Sequence, residues 1–309
     1  MTFPPLSTGS FDTNWEFNEQ KGFDRALRLP DGRRLSYAIY GTPGGRPVFY
    51  CHGWPSSRLE ARLHEAIAMQ KGMCLIAIDR PGFGLSDFQP RRTFLNWPQD
   101  VLAVATALGI ARFAIIGMSG GGPHALACAS QIPERLTTVA LLGSTGPLDE
   151  PHATAGMMPQ NRQLFSLARH APWLLRLYLE WQGRQMRRDF TRFIPRVTQD
   201  MAAADHAFFD SHPHMRSQMR EAFVEAFRSG ARGASWEARL FTRPWGFRLR
   251  DISKEVLLWQ GEDDHNVPVS MGRALAAALP HCQATFYPGE GHLSLFLHLA
   301  ALFDRIPAE

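Results

Sequence analysis

A Gly-x-Ser-x-Gly pentapeptide at residues 117–121 restricts the possible folds of this chain more than any other feature. The apolar run at residues 112–116 predicts a buried strand before it, and residues 123–129, which open with proline, predict a helix after it. A sharp turn between a strand and a helix holds a serine in a strained backbone conformation and lifts its hydroxyl out of the sheet. The pattern therefore predicts a nucleophile elbow with Ser119 as the nucleophile.

Short apolar runs alternate with helix-like segments through most of the chain. Helices are predicted at residues 59–70, 97–108 and 270–278, and a closing helix is predicted after residue 292. Besides the run before Ser119, strands are predicted at residues 23–29, 33–40, 47–51, 73–78, 136–142, 256–260 and 284–287. Because strands that alternate with helices usually form parallel sheets, we predict an α/β fold, a mostly parallel sheet flanked by helices.

The alternation stops between residues 148 and 245, where apolar residues recur at helical spacing and no strand is indicated. We therefore predict a core formed by residues 1–147 and 246–309, interrupted by a helical insertion at 148–245. Residues 151–245 contain 14 arginines and eight acidic residues, a net charge of +6. A solvated basic surface explains this charge most simply, and an anionic substrate or acidic partner is the alternative. The same segment is rich in aromatic residues, and we expect a few of them to roof an apolar pocket.

The composition indicates an ordinary globular protein. Of 309 residues, 45% are hydrophobic and 20% charged, and no run of about 18 apolar residues suggests a membrane-spanning helix. Residues 1–22 are typical of a polar arm and lack the apolar run of a signal peptide. The four cysteines show no metal-binding spacing, and a net charge of +4 is too small to indicate nucleic-acid binding. We expect a cytoplasmic protein with no metal and no cofactor.

A serine hydroxyl becomes a nucleophile only when a base takes its proton, and histidine can do so at neutral pH. Of the 12 histidines, His292 is the best candidate, because it follows the last predicted strand in the sequence Gly-Glu-Gly-His. Functional residues of open α/β sheets lie at such strand ends. The preceding glycine allows a tight loop there. A loop histidine that caps the next helix is the alternative interpretation.

The base needs a carboxylate that fixes its tautomer. The loop after residues 256–260 contains three, of which Asp264 is predicted because it is deepest in the loop, with Asp263 as the runner-up. An oxyanion hole needs backbone N–H groups directed at developing negative charge. We predict the N–H groups of Gly120 and Trp54 as its donors, although a simple turn at residues 52–55 is the alternative.

Five segments in this order resemble the α/β-hydrolase superfamily: residues 52–55, 79–86, 117–121, 261–264 and 291–292. The chain order Ser119, Asp264, His292 also matches that of the superfamily. The resemblance implies a capped serine hydrolase, in which residues 79–86 form a structural turn and the insertion is the cap over the active site. The sequence His-Gly-Trp-Pro also resembles epoxide hydrolases and dehalogenases, but their nucleophile is an aspartate, so Ser119 argues against both activities.

The favoured function is hydrolysis of a carboxylic ester or lactone with an apolar or aromatic moiety, through an acyl-enzyme. The expected partner is therefore a small apolar ester or lactone. Two alternatives remain open. One is hydrolysis of a C–C bond in a vinylogous diketone by the same triad. The other is a ligand-binding or signalling protein of the same fold.

Overall fold

The computed structural model describes residues 24–150 and 153–307, so the predicted polar arm at residues 1–22 lies outside the described residues. Eight strands form one sheet in the order β1-β2-β4-β3-β5-β6-β7-β8. Their bounds are β1 (Asp24–Arg28), β2 (Arg34–Gly41), β3 (Arg46–Cys51), β4 (Met73–Ile78), β5 (Phe113–Met118), β6 (Leu136–Leu142), β7 (Val256–Gly261) and β8 (Cys282–Tyr287). Strand β2 pairs antiparallel with β1 and β4, and the other pairs are parallel. The mostly parallel sheet predicted from the sequence is confirmed.

The central strands are mostly apolar because helices cover both faces of the sheet. Every residue of β5 is buried, and so is every residue of β7. Alternate side chains enter separate cores, with Phe49 and Ile115 on one face and Tyr50 and Ile116 on the other. The edge strand β8 is only partly buried. This pattern is typical of parallel sheets between two helical layers.

Helices follow the strands in the order that the sequence predicts. The first three are α1 (Glu65–Gln70), α2 (Trp97–Ala107) and α3 (Gly122–Gln131). Six more lie between β6 and β7: α4 (Pro159–His170), α5 (Pro172–Arg188), α6 (Phe190–Thr198), α7 (Ala203–Ser211), α8 (Pro213–Ala226) and α9 (Arg232–Phe241). The last two are α10 (Val269–Ala278) and α11 (Leu299–Asp304). No strand occurs between β6 and β7 in the described residues, so the insertion is helical, and we call α4–α9 the cap.

Two predicted helices differ in detail from the structure. The helix predicted at residues 59–70 is a 3₁₀ helix at Arg58–His64 that continues as α1. Its Arg58 and Glu60 side chains are buried and bind core groups, which ties this segment to the core at two points. The closing helix likewise begins with a 3₁₀ turn, Ser294–His298, before α11. Periodicity alone did not distinguish these tighter turns from α-helix.

Buried ion pairs join two cap helices to the core. Glu237 of α9 lies 2.6 Å from the Arg80 Nη2 atom and 2.7 Å from that of Arg92, and Glu225 of α8 lies 2.8 Å from the Arg58 Nη1 atom. Burial raises the pKa of Glu237, but the guanidinium groups of Arg80 and Arg92 and the hydrogen bond with His124 outweigh it and hold that pKa well below its ordinary value. These helices are therefore attached to the core by charge as well as by apolar packing.

None of the described helices combines the length and apolar character needed to cross a bilayer. The cytoplasmic location stays a prediction.

Candidate active site

Ser119 lies at a sharp turn directly after β5, where a 3₁₀ turn (Ser119–Gly121) leads into α3. Its φ of +52° is in the left-handed region that residues other than glycine rarely adopt. A Cβ atom at Gly121 would collide with the carbonyl oxygen of Cys51, and one at Gly117 would lie 2.6 Å from the Gly122 Cα atom. The glycines therefore permit the close packing that holds the serine in this strained conformation.

The structure brings the predicted histidine and aspartate into contact. The Nδ1 atom of His292 lies 2.6 Å from the Oδ2 atom of Asp264, in the loop after β7. The other oxygen, Oδ1, accepts the backbone N–H groups of Asn266 and Val267, each at 2.8 Å. Asp263, the alternative acid, is exposed. The geometry therefore favours Asp264 as the partner of His292.

His292 is buried and lies near three carboxylates. Its burial and these negative charges both affect its pKa. Burial lowers the pKa, but the negative charges of Asp264, Asp205 and Glu60 outweigh it, so the pKa is raised from its ordinary value. The hydrogen bond to Asp264 contributes in the same direction. The imidazole therefore accepts a proton more readily than an isolated histidine does.

Ser119 and His292 line the same cavity, which has a volume of about 450 Å³. The cap supplies most of its apolar wall: Leu164, Phe165, Leu179, Met186, Phe190, Phe193, Phe209, Met219 and Phe223. Core side chains such as Thr145 and Phe296 complete the lining. A largely apolar pocket with a few convergent polar groups is the usual form of a small-molecule site.

The two residues predicted to form the oxyanion hole are neighbours in the structure. A Cβ atom built on Gly120 would lie 2.6 Å from the Trp54 Cβ atom and 3.3 Å from the Trp54 backbone nitrogen. The indole Nε1–H of Trp54 donates to the carbonyl oxygen of Ala234 in the cap at 2.9 Å, which fixes this residue. A Cβ atom at Gly53 would lie 3.7 Å from the Ser119 Cβ atom, so the loop runs close to the serine. Their role as N–H donors stays a prediction.

Residues 46–299 match the family model described as alpha/beta hydrolase fold. The chain belongs to this family. The match spans every strand from β3 to β8 and the whole cap.

Among curated proteins, this α/β hydrolase is 27% identical to the uncharacterised hydrolase YugF of Bacillus subtilis (strain 168), over 85% of this chain and 89% of that protein. It is 28% identical to a 2-hydroxy-6-oxo-6-phenylhexa-2,4-dienoate hydrolase of Burkholderia cepacia, over 76% of each. Among solved structures it resembles the esterase RhEst1 from Rhodococcus sp. ECU1013, with a TM-score of 0.64 and 20% identity. The alignment covers 92% of this chain and 99% of that one. At this identity the structural likeness supports the fold alone.

Sequence reasoning missed Glu60, which is buried beside the site of this α/β hydrolase. Its Oε1 atom accepts the backbone N–H of Gly53 at 2.8 Å and the hydroxyl of Tyr50 at 3.0 Å. Burial raises the pKa of the Glu60 carboxyl. Glu60 thus supports the loop that carries Trp54. It lies in a segment predicted only as a helix, so no sequence signal distinguished it.

Sequence reasoning also missed Asp205, which belongs to the cap helix α7. Its carboxylate binds the backbone of the loop that carries His292. Only its acidic side chain in a helix rich in apolar residues could have drawn attention to it.

Proposed function

We propose that this α/β hydrolase cleaves a carboxylic ester or lactone through an acyl-enzyme formed on Ser119. The observation that carries the proposal is the strained serine at the end of β5, which shares an apolar cavity with a His292–Asp264 pair joined at 2.6 Å. A nucleophile, a base and an orienting carboxylate are the three groups that acyl transfer requires.

In the proposed acylation, Nε2 of His292 takes the hydroxyl proton of Ser119 as Oγ attacks the substrate carbonyl carbon. The carbonyl oxygen becomes an oxyanion, which the N–H groups of Trp54 and Gly120 stabilise. The imidazolium then gives its proton to the leaving alcohol as the C–O bond breaks. Water repeats the sequence on the acyl-enzyme and releases the acid. Asp264 keeps the Nδ1 atom protonated and stabilises the imidazolium.

The cavity supports an apolar or aromatic moiety in the substrate. Its wall is formed mainly by aromatic and aliphatic side chains of the cap. Burial of one methylene contributes about 0.8 kcal/mol, so each added acyl carbon should raise kcat/KM by about fourfold until the cavity is full.

Hydrolysis of a C–C bond is the second candidate. Relatives that are 28% identical include a dienoate hydrolase, whose substrate carries a carboxylate. In the described part of the chain, Arg216 is the single arginine or lysine that lines the cavity, and it could bind such a group. The same three groups would serve this reaction, so substrate tests must separate the two.

The proposal is tested with p-nitrophenyl esters of two to twelve acyl carbons, a set of lactones and a 2-hydroxy-6-oxo-dienoate. We expect ester or lactone turnover at least tenfold above the dienoate in kcat/KM, and loss of turnover in Ser119→Ala. A fluorophosphonate should modify the wild-type chain on the peptide that contains Ser119 and leave Ser119→Ala unmodified. Preference for the dienoate would favour the second candidate. Absence of both labelling and turnover would favour a ligand-binding protein of this fold.

A further inference from the structure

Asp205 connects the cap to the loop that carries the base. It lies in α7, is 1% exposed, and is separated from His292 by 87 residues of sequence. Its Oδ2 atom accepts the backbone N–H of His292 at 3.0 Å. Its Oδ1 atom accepts those of Leu293 at 2.7 Å and Ser294 at 3.0 Å. One carboxylate therefore binds three consecutive N–H groups.

These N–H groups need a partner from outside their own turn. The N–H of Ser294 opens the 3₁₀ turn Ser294–His298, where the first N–H groups have no acceptor within the turn, and those of His292 and Leu293 directly precede it. A carboxylate there forms charge-assisted hydrogen bonds and complements the positive end of the turn. Asp205 thus fixes the backbone at the residue whose side chain is the base.

Gly291, in the loop that carries His292, leaves space for the carboxylate of Asp205. A Cβ atom at Gly291 would lie 2.5 Å from the Cγ atom and from both carboxylate oxygens of Asp205. The sequence suggested that a glycine there permits a tight loop. The structure gives a different reason, because a side chain at 291 would occupy the space that Asp205 fills.

A second contact joins α7 to the 3₁₀ turn Ser294–His298. Phe208, one turn after Asp205 in α7, packs edge-on against Phe296 with the ring centroids 6.1 Å apart. Phe296 lies in the 3₁₀ turn that Asp205 caps. Hence α7 contacts the turn through a charged group and an apolar group on one face.

We propose that Asp205 is a positioning residue for the catalytic base, and that a fully competent base requires α7 to be docked on the core. The proposal rests on the proposed function, in which His292 acts as the base. Asp205 sets the backbone position of His292, and its negative charge adds to those of Asp264 and Glu60, the other charged groups that face the imidazole. Displacement of α7 would remove both effects together.

The principal test compares Asp205→Asn with Asp210→Asn, an exposed carboxylate on the same helix. With p-nitrophenyl acetate, whose acyl group has only two carbons, we expect Asp205→Asn to lose about tenfold or more in kcat with little change in KM. The acid limb of its kcat/KM profile should move to lower pH, because loss of a nearby negative charge lowers the pKa of His292. Asp210→Asn should stay within twofold and keep the wild-type profile. Equal behaviour of the two variants would overturn the proposal.

Gly291→Ala provides an independent variant that keeps the charge but displaces the carboxylate. We expect a similar loss in kcat and a smaller movement of the acid limb. If Asp205→Asn does not fold, Gly291→Ala and Asp205→Glu replace it, and normal kcat in both would refute the positioning role.

An NMR titration of the His292 imidazole, assigned with His292→Gln, separates this proposal from the proposed function. The titration needs no substrate, so it applies even if no ester is cleaved. We expect the pKa of His292 to fall in Asp205→Asn. An unchanged pKa would show that Asp205 is only structural, whereas a fall without any hydrolase activity would count against the proposed function alone.

Discussion

Replacement of Asp264 by asparagine tests how much the activity depends on the tautomer of His292. The amide can keep its oxygen at the Oδ1 position, where it accepts the N–H groups of Asn266 and Val267 at 2.8 Å. The amide NH₂ then faces Nδ1 of His292, which must become an acceptor, and it loses the single hydrogen bond that Nε2 of Gln260 donated to Oδ2 at 3.1 Å. The imidazole proton consequently moves to Nε2, the atom that should take the proton of Ser119.

The opposite orientation of the amide is costly. It would turn the NH₂ group toward two buried backbone N–H groups and leave both donors unsatisfied, at about 1–3 kcal/mol each. The asparagine is therefore held in the orientation that gives the wrong tautomer. Comparable substitutions in serine triads reduce kcat by about 10⁴, which corresponds to roughly 5 kcal/mol in the activation free energy.

The assay is hydrolysis of p-nitrophenyl butyrate between pH 5 and 9, with unfolding temperature as the check on folding. Asp264→Asn should lose about 10⁴ in kcat. Asp263→Asn, the exposed neighbour, should remain within twofold. A loss under tenfold for Asp264→Asn in a folded protein, or a more severe loss for Asp263→Asn, would refute the reasoning.

Three further outcomes are expected. The pKa of His292 is raised, and the proposed base is its neutral imidazole, so kcat/KM should rise with pH and reach half its plateau above about pH 6.5. A midpoint below that value would contradict the effect of the neighbouring carboxylates. Phe165→Ala and Phe190→Ala should lower the preference for long acyl chains, yet leave p-nitrophenyl acetate turnover within about tenfold, since both side chains lie in the cavity wall. Glu237→Gln should lower the free energy of unfolding in denaturant by about 3–5 kcal/mol, because the buried Arg80 loses its anion, and a change under 1 kcal/mol would contradict this.

The central strands and the elbow could be predicted from the sequence because their signals are local. Strand β5 is one apolar run that includes Gly117, and Ser119 and the glycines at 120 and 121 follow it directly. The strands predicted at residues 23–29 and 33–40 correspond to β1 and β2. Asp264 could be preferred over Asp263 only from its place in the loop.

Contacts between distant segments could not be predicted. Glu60 and Asp205 each bind backbone N–H groups on other elements, and no periodicity marks a carboxylate whose partner lies elsewhere in the chain. The 3₁₀ helix Arg58–His64 was missed for a similar reason, since its geometry accompanies side-chain contacts with the core. Local sequence determines where strands and helices form. Contacts between distant segments determine which side chains bind backbone groups on other elements.

The cap attaches to the core unevenly, which bears on how such a protein can acquire new substrates. Helices α7, α8 and α9 place carboxylates against the core: Asp205 on α7, Glu221 and Glu225 on α8, and Glu237 on α9. Within the described residues, no ion pair joins α4, α5 or α6 to the core, although these helices supply much of the cavity wall. Mutations in α4–α6 should therefore reshape the cavity while the proposed catalytic residues keep their geometry. Directed evolution of substrate range should begin in those three helices, where variation costs the least catalytic function.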